Sequence, residues 1–528
     1  MTFYAHTMYS KCMKNPSSST REEWSFFETV ASAAFANPFG EARDELDLAI
    51  SGAAPGSSGD QILPAVLARV DEEVARLRRR GAADLRGQQG GRREVLRSVF
   101  LFQVFHRHAG GFDRLIQAQL RDGAVASRVP FAREVLGELS AFGLSDEEAL
   151  RFFAVFYQLR RAFYFISCGL VGSSAAMKSL RRQLWDCVFT HDMRRFESRL
   201  WNRMEDFSIL LLGATGTGKG AAAAAVGRSG FIPFDPLRGA FSESFTRNFV
   251  AINLSQYSEG VLESELFGHR KGAFTGAGEQ HDGLFSRCAP HGVIFLDEIG
   301  DIGIPVQIKL LQVLQERIFF PVGSHEARRF SGRIIAATNR PLDELIRTGQ
   351  FRDDLYYRLC SDVITLPPLA QRLREDPAEL DTLLDSILLR LAGETLDQDK
   401  LLVKKKLSLA LGSQYPWPGN VRELEQAVKR ILLTGSYQGD RPRTGTVPLR
   451  PHMGSVPLRK EGPQPDAEGR WARGIREGSL NAEALLAGYC DALYERFGSY
   501  EEVSRRTQLD RRTVKKYVQL AAESESGG

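Results

Sequence analysis

The chain has 528 residues, 43% of them hydrophobic, and a formal net charge of +4; at roughly 100–200 residues per domain it is long for one core and corresponds to about three or four units. So small a net charge excludes a whole-chain polyelectrolyte and leaves any nucleic-acid affinity to local basic surface. Six scattered cysteines without a CxxC pair exclude a short secreted disulfide framework, and no run approaches the roughly 18–20 apolar residues of a membrane span, so the expectation is a cytoplasmic protein with free thiols and no membrane contact.

Residues 1–169 show apolar spacing closer to helical than to alternating, for instance over 62–77, 95–105 and 131–142, and are expected to form a mostly α-helical unit. Ser145 with Glu148 three residues on reads as a capping box, and the stripe Phe152, Phe153, Phe156, Tyr157 behind it as core or subunit interface. His106 and His108 have no Cys or carboxylate at ligand spacing and read as surface residues.

The middle of the chain carries the chemistry. An apolar strand, Ile209 to Leu212, runs into Gly213-Ala-Thr-Gly-Thr-Gly-Lys-Gly220 and then an alanine-rich helix. In such a turn the backbone N–H groups of Gly213, Gly216, Thr217, Gly218 and Gly220 curl around phosphate oxygens, Lys219 adds a point charge and the helix presents its positive end. The segment GVIFLDEIGD is a second apolar strand, ending in Asp297, suited to Mg2+ directly or through water, and Glu298, suited to polarising an attacking water. Between them GAFTGA sets Gly272, Phe274, Thr275 and Gly276 in a stretch free of bulk, the composition of an exposed contact tip or of an ordinary Gly-rich turn.

In this order and spacing the motifs of residues 170–434 resemble the central AAA+ ATPase domain of bacterial enhancer-binding proteins, the activators of sigma-54 RNA polymerase. The resemblance implies an α/β P-loop ATPase subdomain (170–366) and a helical lid (367–435), with ATP and Mg2+ as cofactors, a homo-oligomer of the hexamer type as the working assembly, and the GAFTGA residues as the sigma-54 contact. It implies further that Asn253 restrains the catalytic glutamate, that Thr338 and Asn339 sense the γ phosphate, that Arg352 and Arg358 are fingers reaching a neighbouring subunit, and that Arg422 reaches the phosphates from the lid. Read locally, the two asparagines are equally strand-end turn residues, and Arg352 beside Asp353 and Asp354 is equally a surface ion pair. Two departures stand out: Ala214 and Gly220 occupy positions where the family usually has glutamates, and Gly220 also lacks the hydroxyl of the general P-loop. The connection over 229–247 is longer than usual.

A Pro/Gly/Arg-rich stretch, 436–478, reads as a flexible linker. Residues 479–528 then suggest an all-α helix-turn-helix, with Ser499 and Glu502 boxing one helix, Asp510 capping the next, and Arg511, Arg512, Thr513, Lys515 and Lys516 on the second. This resembles the Fis-like readers of the same family and implies binding to double-stranded DNA upstream of a promoter; a protein-docking helix pair is the alternative. The function implied for the whole is an ATP-driven activator that remodels sigma-54 closed complexes; a poorly hydrolysing regulator, or a remodeller of another protein, are the other readings.

Overall fold

The computed structural model describes residues 18–54, 59–274, 277–393, 397–412, 415–437 and 482–525. They fall in two compact units divided near residue 441. The expected linker lies almost wholly outside the described residues, as do Thr275 and Gly276. No described helix is long and apolar enough to cross a membrane, and the five described cysteines are free.

In the first unit, helices α1 (Ser18–Phe35), α2 (Glu41–Ser51), α3 (Gly59–Arg79), α4 (Gly90–Asp122), α5 (Ala132–Ala141) and α6 (Asp146–Gly169) pack around Phe100, Phe112, Phe142 and Phe153. Helix α6 starts where its sequence signals it: Ser145 Oγ accepts from the Glu148 N–H, and the Glu148 carboxylate accepts from the Ser145 N–H. Phe152, Phe153, Phe156 and Tyr157 are all buried. The histidines correct the sequence reading. His108 is buried, with a ring nitrogen 3.0 Å from Glu138 Oε1, and His106 packs against the Phe102 and Phe105 rings. A helix 33 residues long brings distant carboxylates to its face, a proximity that spacing along the chain does not reveal.

Helices α7 (Ala175–Phe189) and α8 (Met193–Arg195) lead into a five-stranded sheet ordered β4-β5-β8-β1-β9, with every pairing parallel. Its strands are β1 (Ile209–Leu212), β4 (Phe249–Asn253), β5 (Val293–Asp297), β8 (Arg333–Thr338) and β9 (Asp362–Thr365). The three central strands are near-continuous apolar runs because helices cover both faces. Crossovers include α9 (Lys219–Gly227), α10 (Glu259–Phe267), α11 (Leu284–Arg287), α12 (Ile304–Glu316), α13 (Leu342–Arg347) and α14 (Asp353–Leu359). Two small hairpins interrupt them, β2 (Phe234–Asp235) with β3 (Ala240–Phe241), and β6 (Ile318–Phe319) with β7 (Arg328–Arg329). Helices α15 (Leu369–Glu375), α16 (Glu379–Ala392), α17 (Asp397–Ala410) and α18 (Asn420–Thr434) form a separate small core around Leu384, Val403 and Leu424.

The second unit contains helices Ala482–Phe497, Tyr500–Thr507 and Arg511–Glu525 around Cys490, Val503, Val514 and Val518. Gln508 in the left-handed region turns the chain between the last two. Asp510 Oδ1 accepts from the N–H groups of Arg512 and Thr513, and is a true cap. The box at Ser499 does not form. Glu502 is taken instead by Arg505 and Arg506, a competition the box pattern leaves out.

Candidate nucleotide site

Parallel register sets the site. Leu212 lies beside Thr338, and Asp297 beside both Asn253 and Ala337, so four strand ends share one edge of the sheet. Ligands of open parallel sheets bind at that carboxyl edge. Past Leu212 the chain turns through Gly213, Gly216 and Gly218, all at positive φ, the last immediately preceding α9. A side chain at Gly216 has no room: its Cβ would fall 2.2 Å from the Gly419 carbonyl oxygen of the lid. The P-loop and lid are also joined by hydrogen bonds from Val421 N to Gly216 O and from Asn420 Nδ2 to Thr215 O.

Between them lies a cavity of about 430 Å³, within the range of small-ligand sites. Its lining combines polar groups, from the loop Thr215 to Gly220 with Asn253, Asp297, Glu298 and Arg422, and apolar ones, Leu170, Val171, Met177, Leu383, Ile387 and Val421. Lys219 donates from Nζ to the carbonyls of Gly213 and Ala214 at 2.8 and 3.3 Å. Burial lowers its pKa, against the pull of Glu298 and Asp297. Burial raises the Asp297 pKa, against a hydrogen bond from Glu298 N and the charges of Lys219 and Arg422. Lys219 and Asp297 are thus partly desolvated, with no direct ion pair among the described residues, an arrangement suited to a ligand that completes their solvation.

Glu298 has φ 58 and ψ 47, a conformation uncommon outside glycine. Its Oε2 accepts from the Asn339 N–H at 3.3 Å, while Asn339 Nδ2 donates to Thr215 Oγ1 at 2.8 Å. Asn253 lines the cavity, but its Oδ1 accepts from Ser255 N and Ser255 Oγ rather than engaging Glu298. Thr338 is buried behind the rim, where its Oγ1 accepts from Arg340 N. For a divalent cation the chain offers the carboxylates of Asp297 and Glu298; Gly220 brings no side-chain oxygen, and Thr217 Oγ1 is turned to the Ala214 carbonyl. Asp297 therefore fits as the residue that would hold the metal.

Arg352 and Arg358 do not line this cavity. Arg352, the N-cap of α14, forms a bidentate pair with Asp354 at 2.9 and 2.6 Å, while Arg358 is exposed on that helix. At the other motif, Gly272 N donates to Ala277 O and Ala277 N to Phe274 O; Phe274 is 46% exposed, its ring 4.9 Å from that of His269. In the second unit Arg511 pairs with Glu501, Lys516 approaches Glu483, and Thr513 Oγ1 donates to Asp510. Arg512 and Lys515 are exposed beside them.

Sequence reasoning missed Thr215, the apolar lining, and Arg372 with Arg390 at the rim. Arg372 is held by Glu379 and the Val171 carbonyl, and Arg390 by Glu425. An apolar residue in a helix carries no local mark of the cavity it will face; only the P-loop upstream hinted that an apolar lining was needed.

Residues 191–365 match the model of the sigma-54 interaction domain. The chain is 39% identical over 275 residues to the transcriptional regulatory protein ZraR of Salmonella typhimurium, covering 52% of this chain and 55% of that protein. It is 42% identical over 261 residues to the Nif-specific regulatory protein of Klebsiella pneumoniae, covering 49% and 43%. Against these two it spans about half of their length. With ZraR of Klebsiella oxytoca the identity is 36% over 353 residues, 66% of this chain and 67% of that protein. The chain belongs to the family of sigma-54-dependent transcriptional activators.

Proposed function

We propose that this chain is a DNA-tethered ATPase that assembles into a ring, a hexamer by family analogy, and uses ATP hydrolysis to drive its GAFTGA tip against sigma-54. The observation that carries the reading is the cavity itself: the P-loop, two other strand ends and the lid bring phosphate-binding, acidic, basic and apolar groups to one lining. Gly213, Gly216, Thr217, Gly218, Gly220 and Lys219 cradle the phosphates, with Arg422 closing from the lid. Asp297 would hold Mg2+, which would supply neutralisation of phosphate charge. Glu298 orients and polarises water, with Asn339 fixing its carboxylate and Asn253 and Thr338 standing behind. Arg352 and Arg358, outside their own subunit's cavity, act on the neighbour's, so hydrolysis depends on assembly.

Phe274, with Gly272, Thr275 and Gly276, is the mechanical output against the sigma-54 polymerase holoenzyme. Arg511, Arg512, Thr513, Lys515 and Lys516 hold upstream double-stranded DNA, chiefly through phosphates, and residues 1–169 regulate the ATPase. Thr275→Ala tests the output: it is expected to abolish capture of sigma-54 while leaving ATP turnover intact, and retention of sigma-54 binding would sink the proposed contact. A regulator that binds ATP but turns it over slowly is the second reading, favoured by the absence of a side-chain oxygen at Gly220. Turnover that stays at background across all protein concentrations, despite ATP binding, would select it.

A further inference from the structure

The 229–247 connection has no place in the nucleotide chemistry. It folds as the β2–β3 hairpin, shaped by Asp235, whose Oδ1 accepts from the N–H groups of Leu237 and Arg238, and by Gly239 at φ 62. One side of it is aromatic. Phe241 stacks on Tyr157 at 4.0 Å and lies 5.6 Å from Phe153; Phe234 meets Phe153 edge-on at 4.8 Å, and Phe245 meets Phe165 at 5.3 Å. These ring partners, Phe153, Tyr157 and Phe165, are on α6, while Phe231 of the same connection meets Trp201 edge-on at 4.8 Å. The N-terminal helices also add backbone to the hairpin, Val129 N donating to Gly239 O, while Ser244 and Thr246 hydroxyls donate to the Gly123 carbonyl.

Beside this dry cluster sits Arg161 of α6, fully buried. Among the described residues no carboxylate pairs with it. Its Nη1 donates to Arg228 O and its Nη2 to Gly230 O, both at 2.6 Å, its plane lies over the Tyr157 ring at 4.4 Å, and its Nε has no partner. Arg228 is the C-cap of α9. The guanidinium thus meets the negative end of the P-loop helix, where a cation is stabilised by the helix dipole and by otherwise orphaned carbonyls. A buried charge held by only two carbonyls tolerates no gradual loosening, because small retreats strand both the charge and the carbonyls. Lys219 opens the same helix, nine residues long, at its other end.

We propose that the 229–247 hairpin is the seat of the N-terminal helical unit, and that Arg161 is a positioning residue through which that unit sets the placement of α9 and its nucleotide loop. This rests on the reading of the cavity as an ATP site. Regulation then passes directly from α6 to the P-loop helix.

The test uses the full chain. Hydrogen exchange over 219–230 and ATP affinity are measured for wild type, Arg161→Met, Arg161→Lys and Lys219→Ala. Arg161→Met is expected to speed exchange in α9, leave α10 and α12 unchanged, and weaken ATP binding by about tenfold, a change typical of one lost charge-assisted contact. Arg161→Lys, which keeps the charge without the two-pronged reach, is expected to give the same pattern at smaller size, and it stands in if Arg161→Met does not fold. Wild-type α9 exchange and ATP affinity in the foldable variant would overturn the proposal, as would exchange that rises uniformly through the chain. If wild type binds ATP no better than Lys219→Ala, the nucleotide reading fails, and the α9 exchange alone still decides the coupling.

Discussion

The two ends of helix α9 are built on opposite principles. At its N-terminal end Lys219, Asp297, Glu298 and Arg422 line an open cavity, and Lys219 and Asp297 are partly desolvated. At its C-terminal end one guanidinium is sealed among aromatic rings and its partners are backbone carbonyls. The first arrangement is left incomplete, as a site must be if a ligand is to complete it. The second is nearly satisfied without a ligand, and the same helix joins them. An apolar nine-residue rod is a poor place to absorb strain, since Ala222, Ala223, Ala225 and Val226 are all buried in close packing.

The largest effect that would break this contrast is at the sealed end. Phe241→Ala removes the ring that stacks on Tyr157 and is expected to cost about 3–5 kcal/mol of stability, read from urea unfolding. A loss below about 1 kcal/mol would mean that the hairpin is an appendage and not a seat. Next comes pH. Burial, with the charges of Arg43 and Arg160, pulls the His106 pKa down from 6.5 to about 3. Between those values the unfolded chain takes up a proton that the folded chain refuses, so stability falls as pH drops below 6.5, by roughly 1 kcal/mol per pH unit from this residue. Unfolding measured at pH 7 and pH 5 in wild type and His106→Phe should show a smaller pH slope in the variant. Smallest is Gly220→Ala. Gly220 sits in the first turn of α9 with nothing within 4 Å of an added Cβ and no positive φ, so the change is expected to stabilise by about 0.5–1 kcal/mol.

What was legible in the sequence follows the same division. The nucleotide end is made of local signals, and those can be read: β1 occupies Ile209–Leu212 as the apolar run indicates, and Asp297 and Glu298 stand at a strand end. Caps are equally local, and Ser145 and Asp510 behave as their positions predict. Ser499 does not, because the charges four residues around Glu502 outbid a weak backbone contact on an exposed surface. The sealed end is made of distant pairings. Nothing near Arg161 distinguishes it from its neighbour Arg160, which forms an ordinary ion pair with Asp113, and nothing in PFDPLRGAF names α6 as its partner. The same limit hid the apolar lining of the cavity and the neighbours of His108.

The claim most central to the account is that hydrolysis is shared between subunits, Glu298 of one acting with Arg358 of the next. The direct measurement is ATP turnover by Glu298→Gln protein, by Arg358→Ala protein, and by an equimolar mixture, at concentrations where wild type turns over. Each variant alone is expected to be silent and the mixture to recover a measurable fraction of wild-type turnover, because some interfaces then combine an intact glutamate with an intact finger. A silent mixture, or full turnover by Arg358→Ala alone, would contradict it.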